Sequence, residues 1–319
     1  MIKATNMKIK KLIIATLLIA MMTGCKQNQT TLLSGQDVYA DILTRTGGRK
    51  TANEILMPSY DGTDIISSDI ASINITHSQD GYIIFTYTGT ADKVIFQITQ
   101  PDGTRYPYPI NDNTPKVLSL VSGSGEYKFA VLEHTGDNKY VTSLSKTQDI
   151  AIKDEFTAFL FPNQYTDYNT DSECILIARK ISDHSETDLT FVSNVFNYII
   201  ADITYDYDLA ENIGTNYIPN PDATFQSKKG ICFDYASLMA SMLKSQRIPT
   251  KVEVGYAGTA YHAWISVYLE ETGWVNNIIE FNGDTWEFMD PTIAANNASN
   301  KKTQSLIGDG TSYTVQYHY

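Results

Sequence analysis

Near residue 153 the apolar pattern of this chain changes period, and the change limits what each side of it can fold into. Before it, apolar residues recur every second position in short runs; after it, they recur every third or fourth. Residues 71–76 alternate, and residues 82–87, 94–98, 127–132 and 140–144 are rich in Tyr, Ile, Val, Phe and Thr. Pro101-Asp102-Gly103, Gly123-Ser124-Gly125 and Thr135-Gly136-Asp137-Asn138 supply turn chemistry between them. Short strands at this spacing over residues 59–152 predict an all-β sandwich.

Beyond the change, the spacing predicts helices over 172–181 and 188–203. In the second, Leu189, Val192, Val195, Phe196, Ile199, Ile200 and Ile203 form one stripe, with Asp188 suited to its start. The stretch Tyr205-Asp206-Tyr207-Asp208 and a polar loop with Pro219 and Pro221 follow. A third helix is expected from Cys232 to about Ser245, then strands over 251–256, 262–269, 274–281 and 286–289. Helices followed by an antiparallel sheet make residues 153–319 an α+β domain. The sandwich before it is read as immunoglobulin-like. It contains no Cys or Trp, so the disulfide-and-tryptophan mark of antibody domains is missing.

The chain has 319 residues, room for about two domains. Its formal charge is −12, and residues 1–24 carry four lysines and no acid, which leaves −16 on the remainder. So acidic a chain is a poor nucleic-acid binder, because phosphate contacts need Lys and Arg. The three cysteines, Cys25, Cys174 and Cys232, are too few for a disulfide framework and show no metal-ligand spacing. There is no EF-hand loop, and no metal or cofactor is expected.

Residues 1–11 are basic and 12–22 apolar or small, a run too short to span a bilayer core needing about twenty residues. Residues 1–24 read as a signal peptide. Met22-Thr23-Gly24-Cys25 resembles a bacterial lipobox, with Met22 where leucine is usual. The resemblance implies cleavage before Cys25, its lipidation, and an extracytoplasmic protein anchored to the bacterial cell membrane. Residues 25–58 read as a polar tether.

Three islands near the C-terminus carry the chemistry. Lys229-Gly230-Ile231-Cys232-Phe233-Asp234-Tyr235-Ala236 supplies a sulfur, Tyr261-His262-Ala263-Trp264 an imidazole, and Trp286-Glu287-Phe288-Met289-Asp290-Pro291 a carboxylate. A thiol with a free pKa of about 8.5 is little ionised at neutral pH, and an imidazole can take its proton. Cys232 opens a helix, whose free N–H groups and dipole favour a thiolate and can receive an oxyanion. His262 is the candidate base, and Asp290 would fix its tautomer. Each residue alone has a plain structural reading: a buried cysteine, a packed histidine, a turn aspartate. Asp234 is expected to cap the helix. Gln226 is a candidate oxyanion donor, Cys174 a structural thiol and His184 part of a solvated turn.

Together the islands resemble the transglutaminase-like superfamily over residues 160–295. The Cys232 island resembles its nucleophile motif, Ile248-Pro249 with 252–256 its helix-to-strand passage, Tyr261-His262-Ala263-Trp264 its His-Ala-Trp motif, and Asp290-Pro291-Thr292 its Asp-Pro-Thr motif. Residues 205–208 look like its secreted bacterial members. Arg247 departs from the glycine usual there, which costs about 1 kcal/mol at a left-handed helix end. The resemblance implies a papain-like fold and a Cys232, His262, Asp290 triad. It implies attack on amide bonds of peptides, proteins or peptidoglycan stems, with hydrolysis favoured over amine transfer because water needs no dedicated site. The competing reading is a non-catalytic surface adhesion or assembly lipoprotein using the fold as a scaffold.

Overall fold

The computed structural model describes residues 33–137, 139–257, 259–276, 279–281, 286–288 and 313–319. The first element falls inside the stretch expected to be a free tether. Helix α1 (Gly35–Ile42) starts at Ser34, whose hydroxyl accepts from Asp37 N, while Asp37 Oδ2 accepts from Ser34 N. Ile42 is buried, and Tyr39 packs its ring 5.9 Å from Tyr198. Farther along, Arg49 donates to Asp188, Ser182 and the carbonyl of Gln246. Few apolar residues mark this segment, so it reads as a tether; Arg45, which donates to Asn194 at 2.9 Å, and Arg49 fix it onto the helices that follow.

The all-β region comprises β1 (Ile65–Ser67), β2 (Ala71–Asn74), β3 (Tyr82–Tyr87), β4 (Val94–Thr99), β5 (Arg105–Ile110), β6 (Lys116–Ser119), β7 (Gly125–Gly136) and β8 (Lys139–Ile150). They form two four-stranded antiparallel sheets, β1-β2-β3-β6 and β5-β4-β7-β8. Alternation decides which side is dry: Val94, Phe96 and Ile98 of β4 are buried, and the residues between them less so. Phe85 of the first sheet stacks on Phe96 of the second at 4.0 Å, which joins the sheets face to face. Strand β5 was not expected, because it contains Pro107 and Pro109. It pairs with β4 alone, and an edge strand tolerates proline since one side of it needs no donor.

After this region come α2 (Glu173–Asp183), α3 (Asp188–Asp202), β9 (Thr204–Tyr205), α4 (Tyr207–Asn212), α5 (Pro221–Ser227), β10 (Lys229–Gly230) and α6 (Cys232–Ser245). The expected helices at 172–181, 188–203 and 232–245 all appear. Helix α5 occupies part of the expected polar loop; Asn220 caps it and Pro221 sits in its first turn. The chain then forms β11 (Thr250–Ala257), β12 (Ala260–Leu269), β13 (Gly273–Val275), β14 (Ile279–Phe281), β15 (Trp286–Phe288) and β16 (Tyr313–His318). Strands β13-β12-β11-β16 make one antiparallel sheet, and β14-β15 a separate pair. The run expected at 274–281 is thus two strands.

The described residues from Ser34 onward belong to one compact unit. Its core is continuous: Leu238, Met239, Met242 and Leu243 of α6 join Val252, Ala263 and Ile265 of the second region and Phe85, Phe96 and Phe129 of the sandwich. Each of these side chains other than Ala263 contributes about 1.5–3 kcal/mol by leaving water. Among the described residues no helix is long and apolar enough to cross a membrane.

Candidate active site

The site is built around the entry into α6. Strands β9 and β10 pair in parallel, Tyr205 opposite Gly230, and Asp206 N donates to Gly230 O at 2.9 Å. This brings residues 205–208 beside the chain that leads into Cys232. A side chain at position 230 would put its Cβ 2.6 Å from Asp234 Cβ, so the close turn requires glycine. Asp234 is buried, and its Oδ2 accepts from Ile231 N at 2.8 Å. That is the carboxylate half of a capping box, and it confirms the capping role expected of Asp234. Its Oδ1 accepts from the hydroxyl of Tyr217 at 2.7 Å. Burial raises the Asp234 carboxyl above its ordinary range, and the two hydrogen bonds oppose that rise. The hydroxyl of Tyr235 donates to Ile203 O at 2.8 Å, tying α6 to the end of α3.

Cys232 is the first residue of α6, half-buried and outside any disulfide. His262 lies in β12 opposite Gly255 of β11. A Cβ at Gly255 would meet Thr314 O at 2.0 Å, so β16 closes on the sheet only because that position is bare. Successive side chains of β12 alternate in direction. Ala263, Ile265 and Val267 enter the core shared with α6, and Tyr261 falls on their side. The Cys232 sulfur contributes to raising the Tyr261 phenol, after burial and two neighbouring tyrosines. His262 falls on the other side with Trp264 and Ser266, its ring 6.1 Å from Trp264 and 6.2 Å from Tyr313. There Trp264 Nε1 and Ser266 Oγ both donate to Glu253 Oε2, at 2.7 and 2.9 Å. Burial raises that carboxyl, and the two donors lower it.

The structure thus gathers Cys232, Tyr261, Asp234 and residues 205–208 at one end of α6, and sets His262 on the adjoining strand. Asp290 lies outside the described residues, as does Cys25. Gln226 sits exposed near the end of α5. Cys174 is buried, donates to Asp222 Oδ1 at 3.5 Å, and has its thiol pushed well up by burial, in keeping with a structural role. His184 is half-buried at the end of α2, its Nδ1 2.9 Å from Lys180 O. Two residues were not singled out by sequence reasoning. Tyr217 sits in a loop with no period to mark it, and Tyr261 was quoted only as part of an island. Among the described residues no group of acidic, His or Cys side chains is arranged to hold a metal ion.

Residues 176–277 match the model of the transglutaminase-like superfamily. This part of the chain is a transglutaminase-like domain. The match spans α2 through β13 and contains both Cys232 and His262. A curated relative, UPF0252 protein MJ1282 of Methanocaldococcus jannaschii, is 29% identical over 96 residues, covering 26% of this chain and 27% of the relative. The chain therefore spans about a quarter of that protein's length. Two solved structures share a looser likeness. One is a proposed cysteine protease from Cytophaga hutchinsonii, 15% identical, with TM-score 0.34 and coverage of 78% of this chain and 73% of that one. The other is red sea bream transglutaminase, 12% identical, with TM-score 0.28 and coverage of 66% and 48%. The assignment of the transglutaminase-like domain rests on the family match.

Proposed function

We propose that the chain is an extracytoplasmic thiol enzyme acting on amide bonds of peptides, proteins or peptidoglycan stems. The observation that carries this reading is Cys232 as the first residue of α6 inside a transglutaminase-like domain, with His262 on the neighbouring strand β12. In the proposed chemistry His262 takes the thiol proton and the sulfur attacks the carbonyl carbon. The C–N bond breaks, the amine leaves with that proton, and a thioester remains on Cys232. Water then attacks the thioester, releases the acid and restores the thiol. N–H groups at the start of α6 would receive the oxyanion, and Asp290 would hold the imidazole tautomer. Hydrolysis is favoured over transfer to an amine, since water needs no binding site.

The proposed chemistry requires the His262 ring to reach the sulfur around the opening end of β12. A thiol-reactive active-site probe tests this. Cys232 should label rapidly in the native protein, and His262→Ala should slow labelling at neutral pH by tenfold or more. Equal labelling in both proteins would remove the enzyme reading and leave the scaffold reading.

Two companion proposals concern the rest of the chain. Lipidation of Cys25 would hold the protein on the membrane, and Cys25→Ser should move it from the membrane fraction to the soluble one. The β-sandwich is read as immunoglobulin-like. Support comes from its strand order, with β2-β3-β6 facing β5-β4-β7-β8, and from Tyr127, whose hydroxyl donates back to Gly123 O at 2.7 Å. A tyrosine near the start of the strand corresponding to β7, bonded to the backbone just upstream, is a recurrent corner of that fold.

A further inference from the structure

One buried carboxylate beside the site takes no part in the proposed thiol chemistry. Glu253 of β11 is only 6% exposed, and its Oε2 accepts from Trp264 Nε1 at 2.7 Å and from Ser266 Oγ at 2.9 Å. Burying a carboxylate is costly even with such donors, and an apolar residue would fill the place at less cost. The strand register shows what it reaches. Glu253 stands opposite Trp264, and Gly255 opposite His262, so Glu253, Trp264 and His262 share one face of the sheet. The Trp264 and His262 rings form an offset stack, 6.1 Å apart and inclined by 28°. Tyr313 meets Trp264 edge-on at 4.8 Å and keeps it there. An indole N–H donated to a carboxylate sends electron density into the ring, and an electron-rich ring favours a cation beside it.

We propose that Glu253 is a positioning residue for His262: its carboxylate holds the Trp264 ring, which keeps the imidazole in place and favours its protonated form. The consequence at Cys232 rests on the thiol chemistry already proposed. The proton that leaves the sulfur is taken by the ring, so a more stable imidazolium means more thiolate at neutral pH. Among the described residues, the other titratable groups around Glu253 and His262 on this face are Lys251 of β11, Tyr268 of β12, Tyr313 and His318 of β16, and Tyr106 and Glu155 from earlier in the chain. Lys251 turns its Nζ to the rings of Trp274 at 3.9 Å and Phe159 at 5.0 Å, where Glu155 acts on it. Burial, with Lys251 nearby, holds His318 neutral, down at about 4, and burial raises Tyr106 to about 12. Glu253 is thus the charge that its neighbours leave to act on His262.

The test titrates the full chain carrying Cys232→Ala by NMR, with the His262 ring signal assigned by its loss in His262→Ala. Glu253→Gln leaves an oxygen for both donors and removes the charge. It should lower the His262 midpoint by about 0.5 pH unit or more, roughly a threefold loss of proton affinity, which a merely structural carboxylate would not do. Trp264→Phe keeps a ring against His262 without the N–H. It should lower the midpoint too, and it carries the test should Glu253→Gln not fold. The double variant should shift the midpoint by less than the sum of the two. With Cys232 intact, Glu253→Gln should slow labelling by a thiol reagent about threefold near neutral pH. At about pH 9.5, where the thiol ionises unaided, the two proteins should label alike. A His262 midpoint unmoved by these changes, or shifts that add in full, would overturn the proposal. Labelling of Cys232 that proves independent of His262 would remove the enzyme reading instead, and the titration would still decide the role of Glu253.

Discussion

The carboxylate of Asp234 accepts a hydrogen bond from Ile231 N at 2.8 Å, two residues into the helix that Cys232 begins. It turns the backbone of the thiol island back on itself, and Tyr217 holds its other oxygen at 2.7 Å. Removing an N-terminal cap of this type costs about 0.5–2 kcal/mol. Asp234→Ala should therefore lower stability within that range, and it should leave the Tyr217 hydroxyl without its partner. Tyr217→Phe removes one hydrogen bond, worth about 1 kcal/mol. The two changes share a partner, so the double variant should lose less than the sum of the singles. Urea titration of the four proteins checks this; strict additivity would mean that the two side chains do not act together.

Gly230 sits where any side chain would collide with that same cap. Its added Cβ would lie 2.6 Å from Asp234 Cβ, a contact that must be relieved by moving the start of α6. Gly230→Ala should destabilise by about 1–3 kcal/mol, the usual penalty for overpacking a closed site. Because the shift is local to residues 230–234, labelling of Cys232 by a thiol reagent should change as well. Gly103→Ala serves as the control: a Cβ there meets nothing within 4 Å, and the residue is remote from Cys232 in sequence and fold. That variant should alter stability through its positive φ of 86 and leave labelling untouched.

Much of this arrangement could be read from the chain because the signals are local. The stripe from Leu189 to Ile203 has one period and one environment, so α3 follows from it directly. The start of α6 at Cys232 and the capping role of Asp234 are both properties of a few consecutive residues. What escaped depends on distant partners. Strand β16 (Tyr313–His318) is a strand because β11 offers it an edge some sixty residues earlier, with Gly255 bare to admit it. Helix α1 is short and held by Arg49, whose partners Ser182, Asp188 and Gln246 lie more than a hundred residues away. In the site, Cys232 and His262 were legible as residue types. The facing direction of each along its element, and the approach of Tyr217 and Tyr261, arise only from packing.

Arg247 occupies the left-handed position after α6, with φ 67. Ile248 N donates to Leu243 O at 3.1 Å and Arg247 N to Lys244 O at 3.0 Å, the two bonds of a Schellman ending. A non-glycine residue is strained there by about 1 kcal/mol. The arginine offsets this by donating twice to Glu54 O, from Nε at 3.2 Å and Nη2 at 3.0 Å, which fastens residues 45–57 to the end of the helix. Arg247→Gly loses the bonds and gains the relaxed backbone, so its net effect should be within about 0.5 kcal/mol of zero. Arg247→Ala loses the bonds and keeps the strain, and should be about 1 kcal/mol less stable than Arg247→Gly. The order of the two melting temperatures decides the point, and an alanine variant as stable as the glycine one would refute the account.

Lys244 is fully buried in α6, where its Nζ donates to Thr166 Oγ1 at 3.3 Å. Loss of hydration pushes its pKa from 10.5 down to about 7. The unfolded chain therefore binds one more proton than the folded one between these two values. Stability from this residue is complete above the unfolded value, and it drains away as the pH falls toward the folded one. Unfolding free energy should thus rise as the pH is raised above neutrality, in the opposite sense to proteins limited by surface lysine pairs. Lys244→Met keeps the length and apolar stem of the side chain and removes the charge. It should flatten the pH dependence in that window and raise stability at pH 7 by about 1–3 kcal/mol, since a poorly paired buried charge is lost. Guanidinium titrations from neutral to alkaline pH would show this, and parallel curves for the two proteins would mean that Lys244 keeps its proton in both states.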